Sequence, residues 1–234
     1  MANWISFRGV STASMTGVIV AKMPSHKKAQ MRYTEYMVKG RDGVLHTDDG
    51  FDTVDLTCRL LLQNQPSTHR QLIDAWADGT GRLITSDDST RAYIASVLRE
   101  IQWMRDEGNN GFWDTAEITF TCQPIMREAV ESTSTFTSSG SIINLGNVDA
   151  LPLIKVTGSG TCVFSVAGTE VTLTGVASNK PVYIDCENGY VYTESGAATM
   201  QGEFPVIPVS STAQAVTLTS GVTKLEITPR WGWV

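Results

Sequence analysis

The sequence predicts a mainly β protein with two domains, and two observations carry this prediction. Apolar and polar residues alternate in many short stretches, such as residues 56–62 and 118–122, and a period of two is the pattern of half-buried β-strands. Charge is divided unequally along the chain. Residues 1–128 hold 14 Lys plus Arg and 16 Asp plus Glu, whereas residues 129–234 hold 4 and 8 among many Ser and Thr. We therefore predict an α+β domain at residues 1–130 and an all-β domain at residues 144–234.

Between the two predicted domains lies a stretch that is rich in Ser and Thr. Residues 131–143 contain one aromatic residue, Phe136, and no charge after Glu131. This composition favours an extended connector. Thr and Phe also favour strands, so an edge strand is the competing interpretation. We predict a connector at residues 131–143.

The clearest element of the first domain is a helix at residues 68–78. Thr68 and Gln71 have the spacing of a capping box, and Gly79 follows as a stop signal. The apolar residues of this stretch fall on one face of the helix; they are Leu72, Ile73 and Trp76. We expect this face to pack on a sheet, with Trp76 in the core and not at a ligand site.

The predicted sheet of the first domain contains three alternating segments, at residues 56–62, 93–97 and 118–122. We expect the last two segments to be joined through the glycine-rich turn at residues 108–111. The second domain alternates throughout, with predicted turns at Ala167-Gly168-Thr169-Glu170, Asn188-Gly189 and Ser220-Gly221. Short strands at such regular spacing predict an antiparallel β-sandwich.

Composition excludes several classes of protein. The net charge of −6 disfavours a dedicated nucleic-acid-binding role, which needs clustered positive charge. No apolar run has the length of a signal peptide or of a membrane span, so we expect synthesis in a cytoplasm and no membrane insertion. The four cysteines are widely spaced and include no C-x-x-C pair, which favours buried thiols over disulfides or a metal site; they are Cys58, Cys122, Cys162 and Cys186.

We found no convincing catalytic, cofactor or metal site in the sequence. Asp185 and Glu187 lie two residues apart and resemble a glycosidase pair, but a solvated strand face is the better interpretation. The segment Asp48-Asp49-Gly50-Phe51-Asp52 resembles a calcium loop without its regular ligands and later Glu, so we predict a polar turn. We therefore expect the protein not to be an enzyme.

Six ordered segments carry a resemblance to a known family. They are Val38-Lys39-Gly40-Arg41-Asp42-Gly43, Trp76-x-x-Gly79-x-Gly81-x-Leu83, Ser86-Asp87-Asp88 followed by Tyr93, Phe120-Thr121-Cys122-Gln123-Pro124, residues 144–160, and Lys224-Leu225-Glu226-Ile227-Thr228-Pro229-Arg230-Trp231. In this order and at these separations they resemble the distal tail protein (Dit) family of long-tailed bacteriophages. Lys39 is a departure, since proline is expected there in many members. The resemblance covers essentially the whole chain.

The resemblance implies a structural virion protein, a hub at the tail tip of a siphophage. It implies an N-terminal belt domain whose copies close into a hexameric ring, and a C-terminal sandwich that is galectin-like or like a carbohydrate-binding module. The implied partners are other copies of the chain, the tail tube protein, and the tail-tip or baseplate hub and receptor-binding proteins. DNA would pass through the lumen without specific binding. Since cyclic rings need heterologous interfaces, we expect hairpin arms that pair across subunits.

Two surfaces are candidates for such interfaces. The turn Gly40-Arg41-Asp42-Gly43 is predicted as the tip of an arm, with an ordinary hairpin tip as the competing interpretation. The basic cluster contains Lys22, Lys27 and Lys28 beside His26. It is either a solvated hairpin tip or an interface with an acidic neighbour.

The alternative function is a tail-tip carbohydrate-binding protein for host adhesion; a tail-associated hydrolase is a third class. The second domain is poorly equipped for sugars, because it has no histidine and a single arginine, Arg230. Its tryptophans, Trp231 and Trp233, are expected to close the sandwich or contact the other domain and not to stack on a sugar ring.

Overall fold

The computed structural model describes residues 3–63, 66–106, 113–178, 180–194 and 196–234. The chain divides between Ala129 and Val130 into two compact units, each with its own core. The predicted mainly β class is confirmed, with antiparallel sheets and, among the described residues, one α-helix. The predicted turn at residues 108–111 lies outside the described residues.

The described elements of the first unit are short strands, one 3-10 turn and one helix. They are β1 (Ile5–Phe7), β2 (Val10–Ser11), the 3-10 turn Thr12–Ser14, β3 (Val18–Lys22), β4 (Met31–Tyr36), β5 (Leu45–Phe51), β6 (Val54–Gln63), α1 (Pro66–Trp76), β7 (Thr80–Thr85), β8 (Asp88–Ser96), β9 (Gln102–Asp106), β10 (Trp113–Cys122) and β11 (Met126–Glu128).

An antiparallel sheet organises the first unit, with strand order β2-β1-β7-β8-β10-β6-β3. β9 adds to β10, and β11 adds to β8. Alternation along β6 and β10 sends every second residue into the core, as the sequence predicts. Phe7, Trp76 and Phe120 meet edge to face at the centre, with ring centroids 5.1 to 6.1 Å apart. β3 forms one end of the sheet and hydrogen-bonds only β6 among the described strands.

The predicted helix is present but begins at Pro66, two residues earlier than predicted. Proline is well tolerated in the first helical turn because no intrahelical N–H bond is needed there. Ile73 and Trp76 are buried as predicted, and the Trp76 Nε1 donates to the Val10 carbonyl at 2.9 Å. Leu72 is 40% exposed, so its predicted core position is wrong. Among the described side chains of α1, only Ile73 and Trp76, three residues apart, are buried.

The described elements of the second unit are strands. They are β12 (Ser134–Phe136), β13 (Gly140–Ile142), β14 (Leu153–Val166), β15 (Thr169–Val176), β16 (Val182–Asp185), β17 (Tyr190–Thr193), β18 (Gly196–Ala197), β19 (Thr199–Gly202), β20 (Gln214–Thr228) and β21 (Gly232–Trp233).

Two long strands, β14 and β20, pair with each other and run through the whole sheet of this unit. The first part of β14 also pairs with β16, and its last part pairs with β15. The sheet therefore curls around one core, with Phe164, Val216 and Ile227 completely buried. The register of the long pair shifts between Thr157 and Phe164, as it does at β-bulges.

A hairpin predicted at Ser220-Gly221 is absent, because these residues lie inside β20 and not between two strands. Gly221 has φ +69, and an added Cβ there would collide with the Thr161 carbonyl oxygen. The glycine thus serves a bulge and a close approach of strands. The hairpin predicted at residues 167–170 is present, but its turn is only Ala167-Gly168, because Thr169 and Glu170 already belong to β15. The hairpin at Asn188-Gly189 is confirmed and joins β16 to β17.

The predicted connector at residues 131–143 is corrected by the structure. β12 and β13 both hydrogen-bond β20, which makes this stretch part of the second sheet. The competing edge-strand interpretation accounts for it: Phe136 packs against the core, and an extended Ser/Thr-rich chain satisfies its backbone groups on an available sheet edge.

Candidate subunit interface

The first unit carries a two-stranded arm that belongs to no larger sheet among the described residues. β4 and β5 pair only with each other, from Met31 opposite Phe51 to Tyr36 opposite Leu45. Every residue of both strands is exposed except Phe51, which is half-buried. A two-stranded ribbon is marginally stable by itself in water. Both faces of the arm and the outer edges of both strands are therefore available to a partner.

The arm ends in the predicted turn. The Arg41 N–H donates to the Val38 carbonyl at 3.1 Å, and Gly40 and Gly43 adopt φ +83 and +81. An added Cβ at either glycine would meet nothing within 4 Å, so glycine is needed for its backbone conformation and not for space. Arg41 and Asp42 are exposed at the tip.

Large apolar side chains along the arm are the feature that the sequence analysis missed. Met37 is 89% exposed, and Tyr33 and Tyr36 are 55% and 52% exposed. Val38, Val44 and Leu45 are also exposed. Single exposed apolar residues are ordinary, but so many on one ribbon mark an interaction surface. The signal available in the sequence was the apolar content of residues 31–38 beside a glycine turn.

The two faces of the arm differ in chemistry. On one face Tyr33 and Glu35 lie opposite Asp48 and His46, and the Tyr33 and His46 rings meet edge to face at 5.8 Å. These four side chains and Met31 line a shallow groove. On the other face the Thr34 hydroxyl donates to the Asp49 carboxylate at 2.6 Å. The groove face combines apolar surface with acceptors for positively charged groups.

The predicted basic cluster lies at the base of the arm. Lys22 ends β3, and Lys27 and Lys28 lie in the loop that leads to β4; all three are exposed. The loop is held in place by His26, whose Nε2 lies 2.8 Å from the Asp87 carboxylate and whose ring stacks on Tyr93 at 6.0 Å. Burial opposes ionisation of Asp87, but hydrogen bonds from Thr85, its own backbone and His26, with the charge of His26, outweigh it and lower its pKa.

The solvated face predicted at Asp185 and Glu187 is confirmed for Glu187, which is exposed, and is wrong for Asp185. Asp185 is 4% exposed, and the guanidinium of Arg230 donates to its two oxygens at 2.7 and 3.2 Å. Arg230 also reaches Glu187 at 3.1 Å. The backbone and side-chain amides of Asn188 also donate to Asp185. The hydrogen bonds from Arg230 and Asn188 lower the pKa of Asp185 to about 2, although burial acts in the opposite direction. Because the two hydrogen bonds from the guanidinium keep this carboxylate ionised, Asp185 has a structural role and is not a proton donor.

The segment Asp48-Asp49-Gly50-Phe51-Asp52 is not a polar turn. Its first four residues belong to β5, with a register shift opposite β4 and Gly50 at φ +83. Within the described part of the chain, no group of three or more His, Cys, Asp or Glu side chains is placed to hold a metal ion.

The aromatic residues of the second unit divide between core and surface. Trp231 is 3% exposed and belongs to the core, as predicted, and Trp233 is half-buried against it. Tyr183, Tyr190 and Tyr192 lie on the outer face of β16 and β17, and the sequence analysis overlooked them. The Tyr183 and Tyr192 rings stack face to face at 5.0 Å with planes 12° apart. Each ring covers a face of the other.

The four cysteines are buried free thiols, as the sequence predicts. Burial raises the pKa of Cys58, Cys122 and Cys186 to about 12. Among the described residues, α1 is much too short to cross a membrane, and no other segment is a candidate helical span.

No protein-family model matches this chain, and no curated protein matches it. Solved structures do. The crystal structure of the Dit (gp 19.1) protein of phage SPP1, described as a paradigm of the hub adsorption apparatus in phages that infect Gram-positive bacteria, aligns with 100% of both chains at TM-score 0.78 and 12% identity. Two structures of the activated phage p2 baseplate, with Sr and with Ca, align at TM-score 0.46 and 8% identity over 96% and 97% of this chain and 97% and 98% of theirs. Over the residues that the structure describes, the chain has the fold of the SPP1 Dit protein.

Proposed function

We propose that this protein is a structural virion protein, the distal tail protein of a siphophage, located at the tail tip. The observation that carries the proposal is the end-to-end structural match to SPP1 Dit at TM-score 0.78. The six ordered sequence segments that resemble the Dit family point to the same function independently of the fold. We propose a structural and not an enzymatic role.

In this proposal six copies form a ring through their first units. The arm of β4 and β5 supplies one side of each contact, because its free edges and apolar side chains need a partner. Gly40, Arg41 and Asp42 form its tip. The second unit of each copy is galectin-like and is displayed outside the ring.

The ring joins the tail tube protein on one side to the tail-tip or baseplate hub and receptor-binding proteins on the other. DNA passes through its lumen without specific binding. At −6 per copy, a ring of six carries 6 × −6 = −36, and repulsion from a negative wall keeps phosphates from docking. We expect acidic and neutral side chains in the lumen, and Lys22, Lys27 and Lys28 against protein. An experimental ring structure with these lysines lining the lumen would refute this arrangement.

Electron microscopy of purified tails tests the proposal. We expect this chain, identified by an antibody fragment or a fused tag, at a six-fold position between the tail tube and the tip. The count is made on assembled tails because neighbouring proteins can stabilise a ring that isolated copies do not form. A three-fold or single-copy arrangement at this position would contradict the hexamer, and absence of the chain from tails would contradict the function.

A further inference from the structure

We infer that the arm of each copy docks on the free edge of β3 and on the basic cluster Lys22, Lys27 and Lys28 of a second copy of this chain. This inference rests on the proposed ring and names the surface that receives the arm. It joins two features that the fold leaves unpartnered among the described residues, one acidic and apolar, the other basic with an open strand edge.

The shaft of the arm, defined as residues 31–36 and 45–52, is acidic. It contains Arg32 against four carboxylates, which are Glu35, Asp48, Asp49 and Asp52. Arg32 lies 3.9 Å from Asp52. Glu35 and Asp48 form no ion pair with a described residue, and both line the groove face beside Tyr33. The shaft therefore offers negative charge together with exposed aromatic surface.

An acceptor for a hairpin needs an open strand edge of useful length. Among the described strands outside the arm, the edge strands β12, β13, β18 and β19 of the second unit have four residues or fewer, and β2 has two. β3 and β9 each offer five residues with an open edge. Each also carries an exposed apolar side chain, Ile19 on β3 and Met104 on β9 at 47% exposure. Of the described strands that end a sheet, β3 and β9 are therefore the two candidates.

Charge decides between the two edges. Residues 18–30, which contain β3 and its following loop, carry three lysines and no acidic residue. Residues 98–106, which contain β9, carry two Arg, one Glu and one Asp. An acidic shaft is attracted to the first edge, whereas the mixed charges at the second give little net attraction. The three lysines form no ion pair with a described residue, so they are available to a second copy.

The basic cluster is also preorganised. The His26 contact with Asp87 and the buried Ala29 hold the loop between Lys22 and β4 on the first unit. A loop that is already ordered loses less conformational entropy when a partner binds. Donor and acceptor are different surfaces of one chain, so their pairing is heterologous and closes into a ring when the rotation per copy allows it.

A charge-exchange experiment in phage assembly tests the inference. Variant X carries Glu35→Lys and Asp48→Lys, and variant Y carries Lys27→Glu and Lys28→Glu. Each variant is supplied alone, or both together, to a phage that lacks its own copy of the gene, and complete tails are counted by electron microscopy. We expect X alone and Y alone to reduce tail yield by roughly 100-fold, because each places like charges together. Circular dichroism of the purified variants verifies that both remain folded.

Supplying X and Y together should restore tails to within about 3-fold of the wild-type yield, because the reversed arm of X fits the reversed cluster of Y, and each wild-type arm of Y fits X. An even-membered ring accommodates this alternation. Full assembly of X or Y alone, or failure of the mixture, would overturn the acceptor assignment. A six-fold count in wild-type tails would still support the proposed function.

Thiol cross-linking gives a second, position-specific readout. Ile19→Cys combined with Tyr33→Cys should give a ladder of linked chains up to six when assembled wild-type-like tails are treated with a short bis-maleimide. The matched control is Met104→Cys with Tyr33→Cys, which should give no ladder. Background is low because the four native thiols are buried. A ladder from the control and none from the Ile19 variant would assign the arm to β9 and refute the inference.

Discussion

At the residue scale, the Arg230–Asp185 pair is a bidentate and largely buried charged contact of the second unit. Arg230 adopts φ +56, which is uncommon for a residue with a side chain, and its side chain is only 16% exposed. The backbone strain is tolerated because the guanidinium satisfies Asp185 and Glu187 at the end of the β16–β17 hairpin. The segment Pro229-Arg230-Trp231 thus ties the end of the chain to that hairpin.

We predict that Arg230→Gln destabilises the second unit by about 3 to 5 kcal/mol, because it leaves the buried Asp185 carboxylate without its partner. Hydrogen exchange of the β14 and β16 amides, measured by mass spectrometry, reports the opening free energy of this unit. Arg59→Gln is the matched control: its pair with Glu117 is substantially exposed and should be worth less than about 1 kcal/mol. Equal effects of the two substitutions would contradict the structural role of Arg230.

The same pair predicts an acid-sensitive contribution to stability. The pKa of Asp185 falls from 3.8 to about 2 on folding, so the folded state binds this proton less readily than the unfolded state. Its stabilisation, about 2 to 3 kcal/mol, is complete above pH 4 and is lost as the pH falls towards 2. Urea unfolding of wild type between pH 5 and pH 2 should show this loss. In Arg230→Gln the corresponding slope should be smaller; an unchanged slope would exclude Asp185 as its source.

Gly221 is a second residue whose identity depends on contacts with a distant part of the sequence. We predict that Gly221→Ala destabilises the β14–β20 pair by more than about 2 kcal/mol, because it combines a left-handed φ with a collision against the Thr161 carbonyl. Gly160→Ala is the control, since Gly160 has φ +71 but open space around it; it should cost about 1 kcal/mol. Thermal unfolding measures both. Similar losses would show that φ alone explains the glycine.

At the element scale, the arm is a surface element and contributes little to the core. Its strands are exposed apart from Phe51, whereas β3 and β6, the strands that precede and follow it in the chain, bury residues in the sheet. Along a strand that packs on a core, apolar residues alternate with polar ones. On the arm, apolar residues instead occupy both faces and the tip, which is the pattern of a segment that becomes covered on both sides by a partner.

We predict that replacing residues 32–50 by a short Gly/Ser linker leaves the first unit folded and abolishes ring assembly. The substitution removes no buried side chain, so the melting temperature should change by no more than about 3 °C. Calorimetry and tail counts measure the two effects. As a control, a linker that replaces only residues 38–43 should reduce assembly less, because the shaft remains. A large loss of melting temperature would show that the arm supports the fold.

At the scale of the whole molecule, the second unit is a curled antiparallel sheet whose described residues form no evident surface for sugars. Trp231 is in its core, and the Tyr183 and Tyr192 rings occupy each other's faces. A sugar ring stacks on an open aromatic face flanked by hydrogen-bonding side chains. Arg230, the single arginine of this unit, is engaged by Asp185 and Glu187. The fold of this unit therefore gives no sugar binding by itself.

We predict that the full chain binds no host saccharide with useful affinity. Glycan arrays and pull-down on host cell walls are the measurements, with tail particles as well as purified protein. Tyr190 is 48% exposed and provides the sharpest control. Saturable binding that Tyr190→Ala abolishes, while the melting temperature is unchanged, would place carbohydrate adhesion ahead of the scaffold.

Local sequence signals determined the mainly β class, the buried face of α1 at Ile73 and Trp76, and the turns at Ala167-Gly168 and Asn188-Gly189. Ala167 and Gly168 have φ 51 and 85, which is the geometry of a two-residue hairpin turn and depends only on adjacent residues. The tip of the arm at Gly40-Arg41-Asp42-Gly43 was located in the same way. Such signals need no knowledge of distant chain.

Only the tertiary structure decided the features that depend on contacts with residues distant in the sequence. Ser220-Gly221 has the composition of a turn, yet it lies within a strand because Thr161 and Gly158 approach it from β14. Asp185 appeared solvated until Arg230, 45 residues later, was placed against it. The sequence predicted the tip of an arm but left an ordinary hairpin tip as an alternative, because pattern does not reveal that both faces remain uncovered. Long-range pairing sets burial, and burial determines whether the same residue is a turn, a charge pair or an interface.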